Sequence, residues 1–144
     1  MSTAMRKPAK ETTDIHRMSQ ISDLERLNPI TEKIIGCAYM ISNGLGSGFV
    51  EKVYENALAH ELRKAGLSVH QQHPIQVNYD GVIVGEYVAD LLVEDCVLVE
   101  LKAVKILDEV HQAQCINYLK ATGMRLCLLL NFGTRRVGIK RIAL

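Results

Sequence analysis

Residues 97–104 read VLVELKAV, a run apolar enough for the middle of a buried sheet yet interrupted by Glu100 and Lys102. Side chains alternate faces along a strand, so the two charges share one face while Val99, Leu101 and Ala103 share the other. Unpaired charges are costly to bury. The charged face therefore looks either to water or to something that needs a carboxylate beside an ammonium, and the strand alone leaves both readings open.

The flanking sequence supplies the neighbours such a strand requires. Three strand-like runs follow one another: residues 68–79, the turn Asp80-Gly81, residues 82–93, the turn region Glu94-Asp95, and residues 96–104. They predict a meander. Two helices precede it. Pro29 suits a first helical turn, Ile30, Ile34, Ile35, Ala38 and Ile41 have helical spacing, and NGLGSG at 43–48 ends the pattern. The second helix is expected from about Gly48 to Ala65, with Val50, Val53, Tyr54, Ala57, Leu58, Glu61 and Leu62 at three- and four-residue steps. After the meander, Asp108 and Glu109 open a third helix that runs to Thr122 and stops at Gly123. RLCLLLNF at 125–132 reads as a buried strand, and residues 136–142, punctuated by basic side chains, as an edge strand. The order is α-α-β-β-β-α-β-β, an α/β chain with one domain over 29–144. Residues 1–28 are polar and mixed in charge and read as a flexible tail, with a short helix over 21–27.

A chain of 144 residues with 48% hydrophobic content fits one core that buries roughly 68 to 70% of the unfolded surface. Its 17 Lys and Arg against 16 Asp and Glu leave a formal charge of +1, too little for a global field that draws in nucleic acid. Any such binding needs a local patch, for which Lys105, Lys120, Arg125, Arg135, Arg136, Lys140 and Arg141 are the available cations. Cys37, Cys96, Cys115 and Cys127 lie far apart without a CxxC pair and read as reduced residues. No run approaches the about 18 apolar residues of a membrane span, and the start MSTAMRKPAKETTD lacks a signal-peptide apolar segment. A cytoplasmic location is expected.

Asp90 on one strand is followed after nine residues by Glu100-Leu101-Lys102 on the next, and in this order the chain resembles the PD-(D/E)XK nuclease superfamily. GFVEKVY at 48–54 matches the pattern of the GxxExxY proteins within it, with Gly48, Glu51 and Tyr54 in the fixed positions. HQAQCINYL at 111–119 and LLLNFG at 128–133 look like later segments of that group, whereas Ser42-Asn43-Gly44 stands where its members often have a His-Arg-like pair.

The resemblance implies a restriction-endonuclease-like core, a mixed sheet flanked by helices, and metal-dependent hydrolysis of phosphodiester bonds in nucleic acid, DNA rather than RNA. Asp90, Glu100 and the Leu101 carbonyl would hold Mg²⁺ or Mn²⁺, with Glu51 completing the acidic cluster directly or through water. Lys102 would contact the attacking water or the scissile phosphate. Gln114 and Tyr118, four apart on one helix face, would steady Lys102 or touch the phosphate backbone. A homodimer would give such a small domain two cuts on a duplex.

One geometric condition attaches to this reading. A two-residue turn at Glu94-Asp95 would set Asp90 opposite Val99 and point Asp90 and Glu100 to opposite faces. The site assembles only with an odd-length connection or a bulge, and that shift is expected here. The rival reading is a non-catalytic nucleic-acid-binding or interaction module, in which these acids would lie scattered. Tyr54 and Phe49 read as core, Gly48 as a tight helix start, and His111 with Cys115 as a half-buried pair rather than a zinc site.

Overall fold

The computed structural model describes residues 23–144. A helical turn at 23–26 precedes α1 (Asn28–Leu45) and α2 (Glu51–Lys64); β1 (Val69–Tyr79), β2 (Val82–Val93) and β3 (Val97–Lys102) follow, then α3 (Glu109–Thr122), β4 (Leu126–Asn131) and β5 (Gly138–Ala143). The tail expected over 1–28 lies, up to residue 22, outside the described residues. The five strands form one sheet in the order β1-β2-β3-β4-β5, antiparallel except for the parallel pair β3 and β4. This is the expected mixed sheet flanked by helices, with β5 at an edge.

Each helix takes its limits from local chemistry. α1 has Pro29 in its first turn and stops at Gly46, whose φ of 68° lies in the left-handed region that favours glycine. α2 starts at Glu51 rather than Gly48, because Gly48 adopts φ 116° and cannot be helical; its Glu51 and its Arg63 and Lys64 suit the helix dipole. α3 begins with a reciprocal cap: Asp108 accepts from the Val110 N–H at 2.8 Å, and His111 Nδ1 accepts from the Asp108 N–H at 3.1 Å. His111 thus has a capping role, while Cys115 is fully buried.

The sheet separates two apolar layers. On one face α1 and α2 bring Ile34, Ala38, Tyr54, Leu58 and Leu62 against Leu91, Val93, Val97, Val99, Leu101, Leu128 and Leu130. On the other, Cys115, Tyr118 and Leu119 of α3 cover Leu92, Leu98, Cys127 and Leu129. Tyr54 is buried, as the sequence predicts, and stacks on Phe132 at 4.7 Å, but Phe49, expected in the core as well, is half exposed. Phe49 lies over the rim of the core, its ring edge-on to Tyr54 at 6.2 Å and its N–H donating to Tyr54 Oη at 3.2 Å. All four cysteines are free. No helix of the described residues is long and apolar enough to cross a membrane.

The alternation of faces reverses part-way along β1 and β2. Leu91 packs on the α1/α2 side, yet Ala89, of the same parity, packs on the α3 side; Val69 and Ile75 divide in the same way. The reversal falls at Gln72, whose φ of 55° is unusual for a non-glycine residue inside a strand, and at Asp90 opposite it. Positions sum to 162 on both sides of this point (Gln71↔Leu91, His73↔Ala89), so both strands turn over together without changing register.

Candidate active site

The register condition is met. Leu91 pairs with Val99, Leu92 with Leu98 and Val93 with Val97, so three residues, Glu94, Asp95 and Cys96, connect the strands. Positions sum to 190, which sets Asp90 opposite Glu100. The backbone ladder ends one step earlier, at Leu91, and side chains take its place. Glu100 Oε1 accepts from the Asp90 N–H at 3.2 Å, and Asp90 Oδ2 accepts from the Leu101 N–H at 2.8 Å. β2 and β3 part at this point, and the parting is the site.

Glu100 is 4% exposed. Burial, then the adjacent Asp90 charge, pushes its pKa up to about 8; Lys102 Nζ, 3.8 Å from Glu100 Oε2, opposes that shift without outweighing it. Tyr118 Oη lies 3.1 Å from both Glu100 Oε2 and the Val88 carbonyl. Its single proton serves one acceptor at a time. The hydroxyl can donate to Glu100 Oε2 or to the Val88 carbonyl. Burial and the neighbouring Glu100 push the Tyr118 pKa up, so the phenol keeps its proton.

The structure thus brings together Asp90, Glu100, Leu101, Lys102 and Tyr118. It does not bring in Glu51, which sits in the exposed first turn of α2 with no hydrogen bond or ion pair among the described residues. The acid that α2 contributes is Glu55, one turn further on and 3% exposed. Its Oε2 accepts from Lys52 Nζ at 2.8 Å and Gln71 Nε2 at 2.7 Å, and its Oε1 from Gln72 Nε2 at 2.5 Å. Gln72 Nε2 also reaches Asp90 Oδ1 at 3.4 Å, so one amide links the two acids. A signal for Glu55 exists in the sequence: with Leu58 and Leu62 it holds the three- and four-residue spacing of the buried stripe. Gln114 is half-buried and makes no hydrogen bond to Lys102 or to either acid; its neighbour one turn on, Tyr118, has that contact.

Asn131 holds the far end of β3. It pairs with Lys102 across the parallel ladder, and its buried amide accepts from the Val104 N–H at 3.0 Å and donates to the Val104 carbonyl at 2.9 Å. The chain then passes so close that a Cβ on Gly133 would collide with the Val104 backbone. A side-chain amide thus extends the ladder beyond Lys102 and fixes where that lysine stands.

The donor set suits a hard divalent cation. Two carboxylates face each other, and burial together with the Asp90 charge raises the Glu100 pKa, an electrostatic cost that a divalent charge relieves. Among the described residues no three His, Cys, Asp or Glu side chains converge to hold a metal ion.

Among solved structures, the chain is similar to an alkaline exonuclease (LHK-Exo) from Laribacter hongkongensis, at 16% identity and a TM-score of 0.42 over 64% of this chain and 55% of that one. It is also similar to SSO0001, at 16% identity and a TM-score of 0.51 over 83% of this chain and 60% of that one. At these identities the SSO0001 likeness concerns the fold alone, and the chain spans under two thirds of either protein. No curated protein matches it significantly. The family model of the PD-(D/E)XK nuclease superfamily matches residues 28–142, nearly all of the described fold, and the chain belongs to that superfamily.

Proposed function

We propose that the protein is a divalent-metal-dependent nuclease acting on DNA rather than RNA, and that within its superfamily it belongs with the GxxExxY proteins through Gly48, Glu51 and Tyr54. The observation that carries the nuclease reading is the convergence of Asp90, Glu100 and Lys102 where β2 and β3 part. Glu51, the fourth residue of the expected cluster, stands apart in the first turn of α2, whereas scattering of all four would have favoured a non-catalytic module.

Asp90, Glu100 and the Leu101 carbonyl would hold Mg²⁺ or Mn²⁺. The cation, when bound, supplies positive charge to the phosphoryl oxygens and activates water. Lys102, with a side chain 19% exposed, presents its ammonium to the scissile phosphate from the same strand face as Glu100. The Leu101 N–H fixes Asp90 Oδ2, while Asp90 Oδ1 is reached by Gln72 Nε2 at 3.4 Å. Tyr118 orients Glu100, and Gln72 ties Asp90 to Glu55.

Calorimetry with Mg²⁺ and Mn²⁺ on wild type and Glu100→Ala, beside cleavage assays on labelled DNA and RNA, tests this reading. Metal binding and metal-dependent DNA cleavage in wild type alone are expected. A wild type that binds neither ion and cuts no strand would remove the proposal.

A further inference from the structure

Of the six arginines among the described residues, three have partners within the fold, and Arg125 is partly buried with its Nε unpaired. Arg63 donates to the Val69 carbonyl at 3.0 Å, Arg141 donates to Thr31 and Asn28, and Arg26 pairs with Asp23. Arg135 and Arg136, in the loop between β4 and β5, differ. Both are exposed, and among the described residues neither guanidinium has a hydrogen-bond or carboxylate partner. With Asn43, from the last turn of α1, they line a cleft of about 520 Å³.

The loop that holds them is pinned at both ends. At its start the Phe132 N–H donates to the Lys102 carbonyl at 2.8 Å. At its end the Val137 N–H donates to Ser42 Oγ at 3.1 Å, which seats it on α1 beside Asn43. Between them Thr134 Oγ1 donates to the Arg136 carbonyl at 2.7 Å. Because β3 and β4 are parallel and Lys102 pairs with Asn131, the loop leaves the sheet at the Lys102 end. Two free guanidinium groups therefore stand at the end of the sheet where Lys102 lies, on the side that α1 covers.

Guanidinium groups match phosphate oxygens in geometry as well as charge. The negative end of α1 works against an anion here, but it amounts to about half a unit charge against two full positive ones. The overall charge of +1 gives no general attraction, so strand binding depends on local cations such as these. We propose that Arg135, Arg136 and Asn43 form a second phosphate site, which holds a backbone phosphate of the bound nucleic-acid strand away from the bond that is cleaved. This rests on the nuclease reading for its ligand, though not for its measurement.

The test is binding of short labelled DNA strands, single and duplex, to the full metal-free chain, followed by fluorescence anisotropy across a salt series. Arg135→Ala/Arg136→Ala should bind more weakly, and its slope of log affinity against log salt should flatten by about 1 to 2. Arg135→Lys/Arg136→Lys should keep the wild-type slope at lower affinity, since charge remains while the planar fork is lost. An unchanged slope in the alanine variant, or no strand binding by wild type, overturns the site. The two readings separate cleanly. Wild type that binds with the steeper slope but cleaves nothing supports the phosphate site and removes the nuclease; wild type that cleaves while the alanine variant keeps its slope does the reverse.

Discussion

Asp90 and Glu100 hold each other's strands: the Glu100 carboxylate accepts the Asp90 N–H at 3.2 Å, and the Asp90 carboxylate accepts the Leu101 N–H beside Glu100 at 2.8 Å. The acids that would bind metal are thus also the last rungs between β2 and β3.

That dual role gives Glu100 a pH signature. Its pKa of about 8 in the folded chain exceeds the roughly 4.3 of an unfolded glutamate. Between these values the folded chain holds a proton that the unfolded chain has released. Stability of the metal-free protein should therefore fall as pH rises through that window and level off above about 8. Thermal melts from pH 4 to 9, on the order of that window, should show the decline in wild type and a shallower one in Glu100→Gln. Equal slopes would refute the assignment.

Lys102→Met should lower kcat by about 10² to 10³, the scale for removing one group that stabilises transition-state charge, with metal affinity retained. Calorimetry and single-turnover cleavage on the same preparation separate the two. A variant that lost metal binding in step with cleavage would place Lys102 outside the chemistry.

The two glutamates of α2 should behave differently. Glu55→Gln leaves Gln71 and Gln72 facing an amide and loosens the link to Asp90, so cleavage should drop at least about tenfold, within the range for outer-shell partners of metal sites. Glu51→Gln, at an exposed position, should cleave like wild type. The opposite ranking, in a side-by-side assay at saturating metal, would restore Glu51 as the acid contributed by the helix.

Asn131→Ala should destabilise the fold by about 2 to 3 kcal/mol, because it strands the Val104 N–H and carbonyl without partners. Urea unfolding measures this. The same variant should lose cleavage at temperatures where it remains folded, since the end of β3 is no longer fixed.

Gln72 offers a backbone test. With φ at 55°, Gln72→Val should cost about 2 kcal/mol or more, as a β-branched residue resists that region. Gln72→Gly should keep stability near wild type while losing activity with the amide. If valine proved as stable as glycine in denaturant melts, the positive φ would have no energetic weight.

The order of elements was legible because helical spacing, glycine stops and an Asp-Gly turn act locally. The register was legible for a different reason: a site with Asp90 opposite Glu100 permits only an odd connection, and three residues form it. Glu55 was legible in its spacing to Leu58 and Leu62, the buried stripe of α2, whereas the GxxExxY pattern points to Glu51, one turn earlier and exposed. The face reversal at Gln72 left no trace, because a glutamine in a left-handed conformation is written like any other. Asn131 lay within a quoted motif, but its pairing with Val104 spans 27 residues and has no local mark.

The parallel pairing of β3 with β4 sets an order of assembly. β1, β2 and β3 join through short turns, so Asp90 and Glu100 meet across ten residues as soon as that meander closes. β4 must wait for α3 to cross over, a long and slow closure. On this topology the acids are expected to pair during synthesis before Tyr118 covers them and before Asn131 fixes Lys102. A truncation or translational pause within α3 should therefore yield a chain with its acids already adjacent but its lysine unplaced, unable to cut before the last strands arrive.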